Sequence, residues 1–117
     1  MKEDLKLRTK RLALRIVRLY CALPKTTEAQ VMGKQVLRSG TSVGAHYREA
    51  TRARSDAEFI SKLEGGLQEL EETAYWIELL GDAEIVPKSR LGELTVEIEE
   101  LTAILVTCVK NTKSKKK

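Results

Sequence analysis

The sequence has too few cysteine, histidine and aromatic residues to build several common kinds of functional site. Its 117 residues include two cysteines, one histidine, three tyrosines, one tryptophan and one phenylalanine. Two cysteines supply neither a disulfide framework nor a four-ligand metal site, and the lone His46 supplies no histidine-based zinc or iron centre. The scattered aromatic residues are too few for a sheet on which nucleic-acid bases stack. We therefore expect neither a metal nor a cofactor.

Long apolar runs are also missing. No segment approaches the ~18–20 apolar residues that a membrane-spanning helix needs, and the first residues do not read as a secretory signal. With 42% hydrophobic residues, two prolines and seven glycines, the chain has the composition of one globular domain. We expect a cytoplasmic protein that makes no contact with membranes.

Charge, by contrast, is plentiful, and the two signs are unevenly distributed. Residues 1–55 hold 13 Lys and Arg against four Asp and Glu, whereas residues 56–110 hold four against 13. Four lysines follow within residues 111–117, and the net charge is +4. This asymmetry has two interpretations: a polyanionic partner, or basic helices that pack beside acidic ones.

Helix-starting and helix-ending residues divide the chain into four predicted helices. The first runs from about Asp4 to Leu23 and ends before Pro24, since the residue before a proline avoids the helical region. The other boundaries rest on two capping boxes, a glycine and a proline. Thr27 and Gln30 form a capping box that begins the second helix, which runs to about Ala53. Ser55 and Glu58 form another that begins the third helix, which runs to Leu80 and is ended by Gly81. Pro87 lies in the first turn of the fourth helix.

These helix lengths and short connections predict an all-α fold, an antiparallel up-down-up-down four-helix bundle over residues 1–110. The sequence shows no alternating strand pattern and no internal repeat. In the last helix, apolar residues recur at alternating steps of three and four, as along the seam of a bundle. Residues 111–117 are predicted to form a disordered, lysine-rich tail.

The first helix carries more apolar surface than one packing face requires. A narrow band of four arginines runs along it: Arg8, Arg11, Arg15 and Arg18. Apolar residues occupy most of the other sides, and beyond the core-facing set they include Leu7, Leu14, Val17 and Cys21. Self-association would bury this surplus; the alternative is a wide core face with some exposed leucine.

The second helix has small residues on two opposite faces. Glycines on its core side, Gly33 and Gly40 among them, would let another helix approach closely. On the opposite side, small and charged residues alternate and predict an oligomer interface: Arg38, Ser42, Ala45, His46 and Glu49. The alternative is that Ser39–Gly40 breaks the helix. His46 is more typical of a structural hydrogen-bonding residue than of a ligand or general base.

Sequence patterns for catalysis are absent, and we predict no catalytic residues and no enzyme activity. Ser42, His46 and Glu49 share a helix face, but this arrangement lacks the oxyanion donors that acyl transfer needs. The glycine pairs match neither a P-loop nor a dinucleotide-binding loop, and no strand precedes them. The glutamates of the last two helices lack the Glu-x-x-His motifs of a di-iron bundle.

Residues 38–80 closely resemble the four helix bundle protein family. They read RSGTSVGAHYREATRARSDAEFISKLEGGLQELEETAYWIELL. Members of this family were first noticed as open reading frames within intervening sequences of bacterial large-subunit ribosomal RNA genes. The positions that carry the resemblance are Arg38, Ser42, His46, Glu49, Arg52 or Arg54, Ser55, Phe59, Leu63, Glu69 and Trp76. His46 stands where asparagine is common.

The resemblance implies a left-handed up-down-up-down bundle whose relatives assemble as homopentameric rings. Related proteins include the accessory variability determinants of diversity-generating retroelements, which bind a reverse transcriptase and nucleic acid. For most of the family, no biochemical role is established.

Taken with the charge asymmetry, the sequence favours a non-enzymatic, oligomeric nucleic-acid-binding protein that contacts the phosphates of structured RNA, or of DNA. The predicted phosphate-contacting residues are Arg8, Arg11, Arg15, Arg18, Arg48, Arg52, Arg54, Lys113, Lys115, Lys116 and Lys117. The alternative is a protein–protein scaffold, for example an accessory subunit of a reverse transcriptase, with no nucleic-acid binding of its own. In that case Arg38, Glu49 and Arg52 form salt bridges between subunits, and the opposite charges of the two halves complement each other within the protein.

Overall fold

Residues 4–115 are described by a computed structural model, and within this range the protein is all-α. Its α-helices are α1 (Leu5–Cys21), α2 (Thr27–Thr51), α3 (Asp56–Asp82) and α4 (Gly92–Ser114), and a 3₁₀ turn, Lys88–Arg90, precedes α4. The four predicted helices are therefore confirmed, and they form an elongated body of 51 × 23 × 20 Å. None of the helices described is long and apolar enough to cross a membrane.

Side-chain caps begin the first three helices. The Asp4 carboxylate accepts a hydrogen bond from the Lys6 amide at 3.0 Å, and Ser55 accepts one from the Glu58 amide at 3.1 Å, as predicted for Ser55. The predicted cap at Thr27 is wrong by one residue, because Thr26 accepts from the amide of Ala29. The Gln30 side chain donates instead to the carbonyl oxygen of Pro24, so it is unavailable for a capping box.

The turn between α3 and α4 differs most from the predicted boundaries. Gly81 does not end α3; it is buried within the helix, where an added Cβ would lie 3.2 Å from Leu91 Cδ1. The left-handed residue that follows is Glu84, with φ 61°. Pro87 does not lie in the first turn of α4, because its backbone is extended (φ −58°, ψ 134°) and a 3₁₀ turn separates it from the helix. Packing of the turn against α3 thus overrides the local signals.

The last helix runs past residue 110, so the predicted boundary of a disordered tail is too early. Thr112 is buried, and its hydroxyl donates to the carbonyl oxygen of Cys108 at 2.9 Å. Val109 and Thr112 continue the core-facing stripe at a helical spacing, which keeps this turn packed. Of the predicted tail, Lys116 and Lys117 lie outside the described residues.

Helix α2 is continuous through Ser39 and Gly40, which confirms the helical prediction over the alternative of a break. Its glycines face α1: a Cβ at Gly40 would lie 2.7 Å from Ile16 Cγ1, and one at Gly44 would lie 3.2 Å from Thr9 Oγ1. The missing side chains therefore let α1 and α2 pack at close range.

The extent of packing differs between the pairs of helices. Helix α2 packs extensively on both α1 and α3, and the hydroxyls of Ser39 and Thr73 lie 2.8 Å apart in the buried contact with α3. Of the neighbouring helix pairs, α1 and α4 are the least extensively packed, and arginine side chains line the groove between them. This groove and one end of the bundle hold most of the predicted phosphate-contacting residues.

Candidate nucleic-acid interface

The predicted arginine band of α1 does not act as one surface, because Arg8 is held within the protein. Its Nε donates to Glu97 Oε2 at 2.8 Å, its Nη2 donates to Glu97 Oε1 at 3.0 Å, and Glu100 accepts as well. These hydrogen bonds, above all those to Glu97, raise the pKa of the Arg8 guanidinium above its usual value. Arg8 is therefore a clasp between α1 and α4, that is, an internal ion pair that joins the two helices. These internal pairs take the place of its predicted phosphate contact.

The rest of the band follows the groove between α1 and α4. Arg11 lines the same cavity as Arg8 and Glu97. Arg15 borders this cavity and the next one along the groove, whereas Arg18 borders only the second. Neither Arg15 nor Arg18 has an ion-pair partner among residues 4–115.

A second set of basic residues comes together at the end of the bundle where α2 connects to α3. This basic end comprises Arg48, Arg52, Arg54, Lys113 and Lys115. The C-terminal turn of α4 lies there too, because Lys115 and Thr112 line the same 380 Å³ depression as Arg54 and Phe59. Residues that are 61 positions apart in the sequence thus share one surface.

Local sequence explains the shape of the basic end. Helix α2 ends at Thr51 and Arg52 caps it, while Ser55 begins α3 after only a short connection. Arg48 lies in the last turn of α2, where a positive charge complements the helix dipole. The Arg54 amide donates to Glu58 Oε1 at 2.9 Å, which fixes the connection.

The charges of the basic end are largely uncompensated. Lys113 lies 3.5 Å from Glu64, and Asp56 borders the depression. No ion pair within residues 4–115 engages the other four cations, which are Arg48, Arg52, Arg54 and Lys115. The Glu58 carboxylate lies there too, because it accepts from the Arg54 amide. Five cations against these three carboxylates leave the exposed cluster with a net positive charge, which attracts polyanions.

The predicted oligomer interface on α2 meets α3 of the same chain at three of its five positions. Arg38 pairs with Glu69 at 3.4 Å and also with Glu72. Glu49 Oε1 lies 3.3 Å from Lys62 Nζ. The Arg38 pairs join the basic first half to the acidic second half within one chain, whereas the Glu49–Lys62 pair has the signs reversed.

His46 packs in the same contact, but its buried Nδ1 has no hydrogen-bond partner among residues 4–115, so the predicted structural hydrogen bond is not formed through this atom. Its ring packs on Gly65, where an added Cβ would lie 2.9 Å from the imidazole. The Nδ1 and Nε2 atoms lie 3.8 Å from carboxylate oxygens of Glu49 and Glu69. Ser42 donates to the backbone oxygen of Arg38 at 2.7 Å, one turn earlier in the same helix. Of the five interface residues only Ala45 is both exposed and without such a contact.

The surplus apolar residues of α1 are exposed, as the sequence predicts. Leu7 and Leu14 are each 43% exposed, Val17 is 38% exposed, and Cys21 is exposed too. Leu7, Leu14 and Cys21 are spaced seven residues apart, and Val17 falls between the last two. These four residues form an outer seam on α1 with the spacing of a helix-packing surface.

Arg90 is a candidate binding residue that sequence reasoning missed. It lines the second cavity of the groove together with Arg15 and Arg18. The sequence feature that could have indicated it is the position of Arg90 in an acidic half, where Lys88 and Arg90 are the only basic residues between Lys62 and Lys110.

Metal-ligand side chains form no cluster of three or more anywhere in residues 4–115.

Comparisons with known proteins agree with this architecture. A sequence model of the 23S rRNA-intervening sequence protein family matches residues 3–107. A solved structure from Bacteroides thetaiotaomicron, a protein of unknown function from the S23 ribosomal protein family, is 40% identical in sequence. The superposition has a TM-score of 0.86 and covers 92% of this chain and 99% of that one. The comparison with curated proteins finds no match.

Proposed function

The chain belongs to the 23S rRNA-intervening sequence protein family, and from that premise we propose that it is a non-enzymatic protein that binds structured RNA through phosphate contacts. The observation that carries this proposal is the basic end, where four cations without ion-pair partners in the described chain gather from α2, the connection to α3 and α4. Lys and Arg side chains that replace condensed counterions supply most of the sequence-independent affinity for nucleic acid.

The composition of the basic end favours recognition of the backbone and shape of RNA. Phe59 is half-buried and is the one aromatic residue that borders the depression. Base stacking on several aromatic side chains is therefore unavailable there, whereas Arg48, Arg52 and Arg54 supply forked donors that suit phosphate oxygens.

We also infer that the helices run alternately up and down, so that the basic end collects helix termini. Two contacts support this inference for α2 and α3: Ser39 meets Thr73, and His46 meets Gly65, so one residue number rises as the other falls. Leu5 at the start of α1 and Asn111 near the end of α4 line one cavity, which supports the same relation for that pair.

Self-association would multiply this surface. We propose that the outer seam of α1 joins copies of the chain, as the homopentameric rings of similar proteins imply. Its exposed leucines and valine support a helix-packing contact. Several basic ends on one assembly would raise avidity by about 10²–10⁴-fold over a single weak site.

Reversing the charge of the basic end tests RNA binding. We expect Arg52→Glu with Arg54→Glu to weaken binding of an RNA hairpin at least about tenfold at 0.1 M salt, because two phosphate contacts become repulsive. The slope of log affinity against log salt should fall by about 2, as measured by fluorescence anisotropy.

The matched control is Lys25→Glu with Lys34→Glu, which changes the net charge equally at exposed positions away from the basic end. Equal losses in both double variants would show a response to net charge alone. No binding by the wild-type protein, even at low salt, would contradict the RNA-binding proposal and leave the scaffold.

The second candidate function is a protein–protein scaffold, for example for a reverse transcriptase. The exposed outer seam of α1 favours it, because such a surface can accept a partner protein as well as another copy.

A charge on the outer seam separates the proposed self-association from this alternative. We expect Leu14→Glu to convert the oligomer to monomers in sedimentation velocity, since a buried unpaired carboxylate disfavours the contact. Val96→Glu is the control, because Val96 is 51% exposed on α4 and lies off the seam. A wild-type protein that sediments as a monomer would refute self-association, and binding of a partner protein would remain as the explanation for the outer seam.

A further inference from the structure

The second cavity of the groove has features that the basic end lacks. It lies between the C-terminal half of α1 and the 3₁₀ turn before α4, and it measures about 270 Å³. Three arginines border it, Arg15 and Arg18 from α1 and Arg90 from the turn, and the rest of its lining is apolar. The cavity therefore combines a rim of three positive charges with a floor of apolar side chains.

The three guanidinium groups have no ion-pair partner within residues 4–115, although acidic residues are common on α4. Three carboxylates of this region pair with other cations: Glu97 and Glu100 with Arg8, and Asp82 with Lys88 at 3.0 Å. Glu84 and Glu93 adjoin lining residues in the sequence, but neither forms an ion pair with the three arginines. Arg15 and Arg18 are one helical turn apart, so their side chains can reach the same anion. The rim is thus complementary to a phosphate group.

The floor of the cavity is apolar and rigidly held. Leu23, Val86, Leu91 and Leu94 are each at most 7% exposed, so the floor is fixed by the core. Apart from the arginines, no side chain that borders this cavity carries a hydrogen-bonding group. The face of a planar ligand can pack on this floor, but no side chain of the floor can form hydrogen bonds with the polar groups at the ligand's edge.

We propose that this cavity binds one unpaired nucleotide of the RNA, with Arg15, Arg18 and Arg90 around its phosphate and the apolar floor against its base. The proposal rests on the proposed RNA binding and adds a preference for single-stranded nucleotides next to a structured region. The volume of about 270 Å³ is just below the ~300–1,000 Å³ of typical ligand sites, so the occupant is one small unit and not several stacked bases. A base inside a duplex is stacked and paired, so it cannot enter.

The test compares two RNAs with the full chain: a blunt hairpin, and the same hairpin with a three-nucleotide single-stranded overhang. We expect the wild-type protein to bind the overhang RNA more tightly. Arg90→Gln should weaken binding of the overhang RNA at least about tenfold and weaken binding of the blunt hairpin by a clearly smaller factor, because only the overhang places a nucleotide in the cavity. Lys88→Gln is the matched control, since Lys88 lies on the same turn, pairs with Asp82 and does not border the cavity.

A second variant tests the floor without changing charge. Ala22→Met adds volume at an exposed position that borders the cavity, so it should fill the space of the base and abolish the preference for the overhang. Equal loss for both RNAs in Arg90→Gln, or an intact preference in Ala22→Met, would overturn the nucleotide site. So would displacement of the overhang RNA by poly-glutamate as readily as by a nucleoside monophosphate, because an acidic peptide would then be the occupant.

Failure here is distinguishable from failure of the proposed function. If blunt-hairpin binding persists and still depends on Arg52 and Arg54, RNA binding stands and only the nucleotide site is refuted. If the wild-type protein binds neither RNA, both proposals are refuted.

Discussion

Replacing Gly40 by alanine is expected to lower the free energy of unfolding by about 1–2 kcal/mol, and replacing it by leucine by about 3 kcal/mol or more. The added Cβ would lie 2.7 Å from Ile16 Cγ1 and 3.0 Å from Cγ2. These are branch atoms of a β-branched side chain, which has little rotamer freedom within a helix. Ile16 is fully buried, so relief would require moving α1 away from α2.

The expected loss is a net value, because alanine in a helix is intrinsically favoured over glycine by about 1 kcal/mol. Gly92→Ala gives the sign of that gain without a clash, since nothing lies within 4 Å of a Cβ at Gly92. Because Gly92 is the first residue of α4, the gain there is smaller than in a helix interior. Urea denaturation followed by circular dichroism should therefore show opposite signs for the two alanine variants. Two stabilising substitutions would show that the α1–α2 contact adapts without cost.

A double-mutant cycle assigns the cost of Gly40→Ala to one neighbour. Ile16→Ala alone should cost about 2–5 kcal/mol, because it leaves a cavity in the core. It also removes the two atoms closest to the new Cβ, so the double variant should be more stable than the sum of the single effects predicts. Additive effects would indicate that the strain lies elsewhere.

Helix identities could be predicted from the sequence because each helix is long and its apolar residues recur at helical spacing. Ends were less predictable where two residues compete for one role. Thr26 and Thr27 are both suitable N-caps, and only the extended backbone of Thr26 decides between them. Gly81 reads as a helix terminator, yet packing against Leu91 uses its missing side chain and α3 continues.

The candidate site was less predictable than the fold, because it depends on which charges meet across helices. Arg8 looks equivalent to Arg15 on a helical wheel, but its partner Glu97 lies 89 residues away in sequence. Likewise Arg38 and Glu49 have the composition of an outer contact surface, and only the rotation of α2 places them against α3. Exposure of Leu7 and Leu14 was predictable, since their position follows from the periodicity of a single helix.

Arg8→Ala is expected to lower the free energy of unfolding by about 2–3 kcal/mol, because it removes a two-pronged, charge-assisted contact from the least extensively packed pair of neighbouring helices. The side chains of Arg8 and Glu97 are 16% and 19% exposed, so water screens them only in part. Without the guanidinium, the neighbouring carboxylates of Glu97 and Glu100 would also repel each other.

Arg18→Ala is the matched control, because it is the same substitution on the same helix at a guanidinium with no ion-pair partner among residues 4–115; it should change stability by less than about 0.5 kcal/mol. Adding Glu97→Ala to Arg8→Ala should recover part of the loss, since the orphaned carboxylate is then gone. Hydrogen exchange should show faster opening of α1 in Arg8→Ala, while the α2–α3 contact keeps its protection. Equal losses of stability in Arg8→Ala and Arg18→Ala would instead mean that removing any positive charge from α1 destabilises the protein. The distinction between Arg8 as a structural ion pair and Arg15 and Arg18 as binding residues would then be wrong.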